Sequence, residues 1–134
     1  METAKKDILL ASLMITNERS DCFDPPHFTI KPDCEASFRE MCDKMIAKTS
    51  SEEGCLNYGF SFAGNQVFCR ESYVNARAAL LHLDKVGELL TEAFQFADLD
   101  RLEFHGTAEQ LEILEEAVAP FNPVLFALEK GFRN

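Results

Sequence analysis

A hairpin near the middle of the chain constrains the fold more than any other feature of the sequence. Two segments with alternating apolar residues flank Gly64-Asn65, a dipeptide that suits a two-residue turn. Such a turn places Ala63 opposite Gln66 and Tyr58 opposite Glu71, and a slip of one residue would exchange the two faces. One face is then apolar apart from a single carboxylate, and it consists of Leu56, Tyr58, Phe60, Phe62, Val67, Cys69, Glu71 and Tyr73.

The first thirty residues predict a strand and a proline-containing loop. Residues 8–16 form a continuous apolar run, which is typical of a buried strand. Residues 17–31 predict a long loop that regains strand character at residues 28–30. Asp24-Pro25-Pro26 lies inside this loop, and we expect two adjacent prolines to exclude a helix and a central strand.

Four segments predict helices. Asp33 is a candidate N-cap for the first helix, whose apolar stripe is Phe38, Met41, Cys42, Met45 and Ile46. Asn75 is predicted to cap a short helix that ends near Leu83, and a second helix follows it with Val86, Leu89, Leu90, Ala93 and Phe94 as its stripe. Thr107 and Gln110 form a T-x-x-Q capping box for the last helix.

The order of elements predicts a ferredoxin-like fold. Residues 99–105 and 124–128 read as strands, so the order is β-α-β-β-α(α)-β-α-β, and its first six elements match the split βαβ plan. The fold class is therefore α+β, with an antiparallel sheet, helices on one face and an extra C-terminal helix and strand. The uncovered face of the sheet needs a partner, and a second copy of the chain is the simplest one.

Charge and cysteine content narrow the classes of partner. The net charge of −10 and a pI near 4.7 argue against binding to nucleic acid or to anionic membrane surfaces. The apolar run at residues 8–15 is too short for a secretory signal, and none of the five cysteines lies in a C-x-x-C pair. We expect a cytoplasmic protein with reduced thiols, no metal and no cofactor.

Three motifs resemble the antibiotic-biosynthesis monooxygenase (ABM) domain family. Residues 52–58 (EEGCLNY) are similar to the "EpGCLxY" start of that family's second strand, and residues 67–73 (VFCRESY) to its third strand. Residues 78–83 (AALLHL) are similar to the "AL-x-x-HL" helix that follows. The resemblance covers about residues 8–105 of a single domain, 1–134, and residues 107–132 form a C-terminal extension.

The resemblance implies a dimeric α+β barrel, but it does not determine the reaction. Some members oxygenate quinols and polycyclic phenols without metal or flavin, others degrade haem, and others are hydroxy-ketone phosphate isomerases or have no known activity. The haem-degrading members rely on a Trp in the region of the third strand. Haem degradation is not expected here, because the chain has no Trp and has Tyr73 at that place. An isomerase of phosphorylated metabolites would need basic residues, for which Arg70, Arg77 and Lys85 are the candidates.

Glu71 and His82 are the candidate catalytic residues. Burial would raise the pKa of a carboxyl group at position 71 and make it a general base, and a histidine can accept a phenol proton near neutral pH. Each residue also has a purely structural interpretation. Glu71 could be a buried carboxyl group whose hydrogen bonds are all made, and His82 could be a histidine at a helix end that bonds to a carbonyl group or to water. Candidate substrate-binding residues are Tyr58, Tyr73, Phe60 and Cys69. His27 is expected on a solvated loop, and His105 at the surface or at an interface.

The sequence therefore predicts a cofactor-independent monooxygenase acting on a quinol or hydroxylated aromatic molecule. The alternative is a non-catalytic dimeric protein of the same fold that binds a small apolar ligand or a protein partner. The residues that line the cavity should distinguish the two.

Overall fold

The computed structural model describes residues 21–132. In it, a six-stranded sheet packs against helices. The strands are β1 (Cys22–Phe23), β2 (Pro26–Ile30), β3 (Cys55–Ala63), β4 (Gln66–Tyr73), β5 (Ala97–Gly106) and β6 (Val124–Ala127). The helices are α1 (Glu35–Thr49), α2 (Ala76–Ala93) and α3 (Ala108–Val118), and a 3-10 turn (Ala119–Phe121) follows α3. The strand predicted at residues 8–16 lies outside the described residues.

The sheet has the strand order of the ferredoxin-like plan. β3 pairs with β4, and β4 pairs with both β1 and β2, which together occupy one strand position. β5 follows on the other side of β1 and β2, and all these pairs are antiparallel. The predicted α+β, ferredoxin-like fold class is therefore confirmed.

The central hairpin has the predicted register. Ala63 pairs with Gln66 and Tyr58 pairs with Glu71, which places the carboxylate on the predicted face. A bulge between Cys55 and Asn57 changes the last pair, so that Cys55 rather than Leu56 lies opposite Tyr73. Leu56 is consequently exposed at 40% and does not join the apolar face.

The prediction that the prolines exclude a central strand is wrong. β2 lies between β4 and β5, and Phe28 pairs with both neighbours. The prolines are tolerated because Pro25 falls in the break between β1 and β2, while Pro26 is the first residue of β2. The break also turns the side chain of Asp24 into the protein, where it is 3% exposed.

Two helix boundaries differ from the predictions. Cys34 rather than Asp33 is the N-cap of α1, because Asp33 adopts a left-handed conformation (φ 62°) that belongs to the preceding turn. The predicted break near Leu83 is absent, and α2 runs without interruption from the predicted Asn75 cap. Gly87 lowers helix propensity but does not end a helix whose apolar stripe is packed.

The apolar stripe of α1 is mostly as predicted. Phe38, Met41, Cys42 and Met45 are buried, whereas Ile46 is 41% exposed. One helical stripe is about 100° wide, so the outermost residue of a five-residue stripe reaches solvent when the facing surface is a flat sheet.

The C-terminal extension belongs to the same sheet. The predicted strand is present as β6, which pairs in parallel with β5 at the edge. Thr107 caps α3 by accepting from the amide of Gln110 at 3.3 Å. The side chain of Gln110 does not complete the capping box; it accepts a hydrogen bond from the amide of Ala76 at 2.7 Å and thereby joins α3 to the start of α2.

The two faces of the sheet have different surroundings. On one face, buried side chains of the strands pack against the helices. The opposite face carries aromatic residues, with His27 against Phe68 and His105 stacked on Phe126 at 4.7 Å between ring centroids. Phe23, the cross-strand partner of His105, is 48% exposed on this face.

Candidate functional site

A small cavity lies between the sheet and α2, and its wall is mainly apolar. Its free volume is about 40 Å³, which is room for about three water molecules, since one needs roughly 10–15 Å³. β2, β3, β4 and β5 form its sheet side, while α1, α2 and the 3-10 turn close it. The polar side chains in the wall are Asp24, Tyr58, Cys69, Glu71 and His82.

Glu71 is the centre of a buried hydrogen-bond network. Its side chain is 5% exposed, and it accepts hydrogen bonds from the Tyr73 hydroxyl at 2.7 Å and the Cys69 thiol at 3.1 Å. Burial raises its pKa, while the charge of His82 and the hydrogen bonds from Tyr73, Cys69 and Asp24 oppose that rise. Glu71 is therefore a carboxylate that its neighbours keep available to accept a proton inside an apolar cavity.

Asp24 is a second carboxyl group in the same site. Its side chain is hydrogen-bonded to that of Glu71, and burial, followed by the charge of Glu71, raises its pKa well above the usual range. Within residues 21–132 its Oδ1 atom is buried and has no hydrogen-bond partner. A hydrogen bond between two carboxyl groups requires a proton on one of them, and the donors that lower the pKa of Glu71 favour Asp24 as the group that holds it.

His82 connects Glu71 to a third carboxyl group. Its Nδ1 atom lies 3.0 Å and 3.2 Å from the two carboxylate oxygens of Glu52, and its Nε2 atom lies 3.6 Å from Oε1 of Glu71. The contact of both Glu52 oxygens with Nδ1 fixes the orientation of the imidazole ring. Asp24, Glu71, His82 and Glu52 thus form a buried row of titratable groups, in which His82 and Glu71 lie at ion-pair distance rather than at hydrogen-bond distance.

Tyr58 and Phe60 contribute the β3 side of the cavity. The Tyr58 ring lies 5.2 Å from the His82 ring and 5.5 Å from the Phe60 ring, measured between centroids. The Tyr58 hydroxyl donates to the sulfur of Met45 at 3.7 Å, which is a weak hydrogen bond. This hydroxyl can therefore exchange its partner for an oxygen atom of a ligand.

Tyr73 and Cys69 support Glu71. Tyr73 is fully buried and lies outside the cavity wall, so it positions Glu71 and does not face a ligand. Burial, followed by the charge of Glu71, raises the pKa of the Cys69 thiol, which excludes a thiolate nucleophile near neutral pH.

The structure thus brings together all six predicted site residues, five in the cavity wall and Tyr73 behind it. His27 and His105 lie on the opposite face of the sheet, away from the cavity. Among residues 21–132, no Arg or Lys belongs to the cavity wall, so Arg70, Arg77 and Lys85 do not form a phosphate site there. Within the described range, no cluster of three or more His, Cys, Asp or Glu is arranged to hold a metal ion.

Sequence reasoning missed Asp24 and Glu52. Asp24 precedes two prolines and reads as a turn residue, and Glu52 follows a helix end and reads as a solvated charge. Glu52 lies in the segment that carries the ABM resemblance, which was the one available signal for it. To predict that Asp24 is buried, one would first have had to recognise that the two residues before it form a strand.

Comparison with known proteins identifies the family. The structure matches the crystal structure of MupZ from Pseudomonas fluorescens with a TM-score of 0.80 and 42% sequence identity, over 85% of this chain and 94% of that chain. The chain belongs to the family of MupZ and has the ABM fold. No protein-family model and no curated protein sequence matches it.

More distant structures share the fold of this MupZ relative. Rv0793 from Mycobacterium tuberculosis matches with a TM-score of 0.57 at 22% identity, over 66% of this chain and 94% of that one. A candidate antibiotic biosynthesis monooxygenase from Caulobacter crescentus matches with a TM-score of 0.57 at 17% identity, over 64% and 88% of the two chains. No helix in the described part of the chain is long and apolar enough to cross a membrane.

Proposed function

We propose that this protein is an enzyme in which Glu71 removes a proton from a small hydroxylated substrate. The observation that carries the proposal is the position of Glu71 in an apolar cavity, between a neutral carboxyl group on Asp24 and the imidazole of His82. A carboxylate in such surroundings is a stronger base than one in water, because burial disfavours its charged form.

The reaction proposed first is cofactor-independent oxygenation of a quinol or hydroxylated aromatic molecule. Glu71, assisted by His82, takes the substrate proton, and Tyr58 donates a hydrogen bond to the substrate oxygen. The resulting carbanion gives its electron pair to O₂ as a C–O bond forms, and the proton held by Glu71 returns to the peroxide anion to give a hydroperoxide. The remaining hydrogen on that carbon then leaves as a proton while the O–O bond breaks, and the departing hydroxide takes up a proton, which leaves a carbonyl product and water. The fold of the Caulobacter crescentus protein named as a monooxygenase supports this choice.

A second candidate is an acid–base reaction at a C–O bond that needs no oxygen. The observation that favours it is Asp24, which holds a proton beside the base Glu71. Two carboxyl groups with pKa values driven apart can protonate a departing oxygen and activate an attacking hydroxyl group in the same step.

Two further proposals concern the assembly and location. A second copy of the chain covers the aromatic face that holds Phe23, Phe68 and Phe126, which gives the homodimer expected of an ABM fold. A cytoplasmic location is in keeping with the five cysteines, all of which are free thiols.

Paired aerobic and anaerobic assays test the function. A panel of reduced quinones and polycyclic phenols is incubated without added metal or flavin, and O₂ uptake and products are recorded. Glu71→Gln should lower the wild-type rate at least ~100-fold, the scale of a lost general base. Glu112→Gln, the same substitution on the exposed surface of α3, should leave it unchanged.

The outcomes distinguish the candidates. O₂ uptake that depends on Glu71 supports the oxygenase. Turnover of a hydroxylated substrate that continues without O₂ and is lost in both Glu71→Gln and Asp24→Asn supports the acid–base reaction. If no compound of the panel is converted but ligands bind, the non-catalytic alternative replaces the oxygenase.

A further inference from the structure

A larger apolar groove lies outside the cavity, on the surface between α2 and α3. Its volume is about 640 Å³, in the size range of small-molecule sites. One stripe of α2 forms its floor, and Ala117 of α3 and Phe121 of the 3-10 turn form its opposite side. We call it the outer groove and the 40 Å³ space beside Glu71 the inner cavity.

The inner cavity and the outer groove share three side chains. Leu83, Leu90 and Phe121 line both spaces, so the partition between them is one side chain thick. Leu83 and Leu90 are part of α2, whereas Phe121 ends a single 3-10 turn and is 36% exposed. Side chains with that exposure change rotamer within nanoseconds, so Phe121 is the member of the partition that can move.

The volumes show that the inner cavity can hold only part of a substrate. Its 40 Å³ accommodates a few water-sized groups, which is enough for a hydroxylated end that displaces Phe121 but not for a whole polycyclic molecule. The remainder of any larger substrate must lie beyond the partition, where the outer groove begins.

Gly87 leaves open space in the outer groove, because it has no side chain on the surface of α2 that lines the groove. It lies in the middle of α2, where glycine is less favourable to the helix than alanine. A Cβ atom built at this position meets nothing within 4 Å, and its φ is not in the left-handed region. Neither a turn nor a close approach of another chain segment explains the glycine, and its visible effect is open space in the groove.

The charge of the groove indicates a neutral occupant. Its polar residues include Asp84 and Glu116, and no Arg or Lys of the described part of the chain lines it. A phosphate or carboxylate on the occupant would be repelled, whereas a hydrocarbon chain would bury apolar surface along the stripe. From Leu80 to Phe94 that stripe extends about 21 Å, at 1.5 Å per residue.

We propose that the outer groove binds the neutral hydrocarbon chain of an elongated substrate, whose hydroxylated end passes Phe121 into the inner cavity. The inference rests on the proposed function only for the position of the hydroxylated end. It narrows the substrate class from compact polycyclic phenols to molecules with a polar head and an apolar chain.

Binding of alkylphenols tests the inference without requiring turnover. Phenol, 4-pentylphenol and 4-octylphenol are titrated calorimetrically against the wild type. A buried methylene group improves affinity up to about fourfold, so we expect 4-octylphenol to bind at least ~10-fold more tightly than 4-pentylphenol. Equal affinity for the two alkylphenols would overturn the proposal.

Gly87→Leu, which fills the groove, should abolish this difference without changing the affinity for phenol. Gly87→Ala is the matched control and should retain the difference. Both substitutions favour the helix, so both variants should melt at or above the wild-type temperature, which excludes misfolding as the cause. Retention of the chain-length effect in Gly87→Leu would refute the groove as its origin.

Two additional measurements separate the remaining explanations. Glu71→Gln should retain the chain-length effect, so loss of activity in that variant and loss of the effect in Gly87→Leu are independent results. Light scattering should give the same molar mass for the wild type and Gly87→Leu. A change in mass would show that the groove is a contact between copies of the chain, and it would overturn the proposal.

Discussion

Replacement of Asp24 by Asn should change how stability depends on pH. The neutral carboxyl group of Asp24 is buried, 3% exposed, and hydrogen-bonded to Glu71. The Asn amide has nearly the same shape and can donate the same hydrogen bond, but it cannot lose a proton. The variant therefore keeps the contact and removes the titration.

The sign follows from the raised pKa of Asp24, which burial and the charge of Glu71 cause. Above about pH 4 an unfolded Asp has lost its proton, while the folded protein retains one until the pH passes the raised pKa. Across that window the folded state binds one more proton, so the free energy of unfolding decreases by about 1.4 kcal/mol per pH unit. The stabilisation that the proton on Asp24 provides is fully present below the pKa of Asp in the unfolded chain. It is lost as the pH rises towards the raised pKa of Asp24 in the folded protein.

Urea unfolding followed by far-UV circular dichroism at pH 5, 6, 7 and 8 measures this difference. Relative to the wild type, Asp24→Asn should gain stability with each pH unit up to the native pKa and then reach a plateau. Asp98→Asn, with a side chain 68% exposed, is the control and should follow the wild type at every pH. A difference between Asp24→Asn and the wild type that does not vary with pH would refute the assignment of the proton to Asp24.

Three further predictions concern the support of Glu71, the joint between helices and the exposed sheet face. Tyr73→Phe removes a hydrogen bond that lowers the pKa of Glu71, so the acidic limb of the pH–rate profile should move to higher pH. Gln110→Ala leaves the buried amide of Ala76 without its 2.7 Å acceptor and should cost about 1–3 kcal/mol of unfolding free energy, measured in urea. Phe126→Asp should convert a dimer to a monomer in light scattering, because it places a charge on the proposed interface.

Each of these predictions has a contrary result. An unshifted pH–rate profile in Tyr73→Phe would mean that the tyrosine does not position the base. Wild-type stability in Gln110→Ala would mean that water replaces the glutamine. A wild type that is monomeric at all concentrations would remove the dimer proposal, and the aromatic face would then be free for another partner.

Local rules, meaning preferences set by residues close together in sequence, determined most of the helices and strands in the described part of the chain. The Gly64-Asn65 turn determines the register of the hairpin, and the alternation of a strand then places Tyr58, Cys69 and Glu71 on one face. The caps at Asn75 and Thr107 are likewise local, because each side chain accepts from an amide three residues ahead. These features depend on residues close together in sequence.

Local rules failed where a neighbouring strand or helix decided the outcome. Pro25 and Pro26 are compatible with a central strand only because the strand is broken at that point, and the pairing partners of β2 are residues far away in sequence. Similarly, the predicted break of α2 near Leu83 disregarded packing, which stabilises a continuous helix despite Gly87.

The sequence alone determined that a carboxylate, a thiol and two aromatic residues share one face of a hairpin, since a strand has a period of two. Only the tertiary structure decided that this face encloses a row of buried titratable groups. Asp24 reaches Glu71 because β1 and β2 flank it beside β4, and Glu52 reaches His82 because the end of α1 meets α2. Such contacts arise from the packing of whole elements, and the residues that form them show no shared pattern in the sequence.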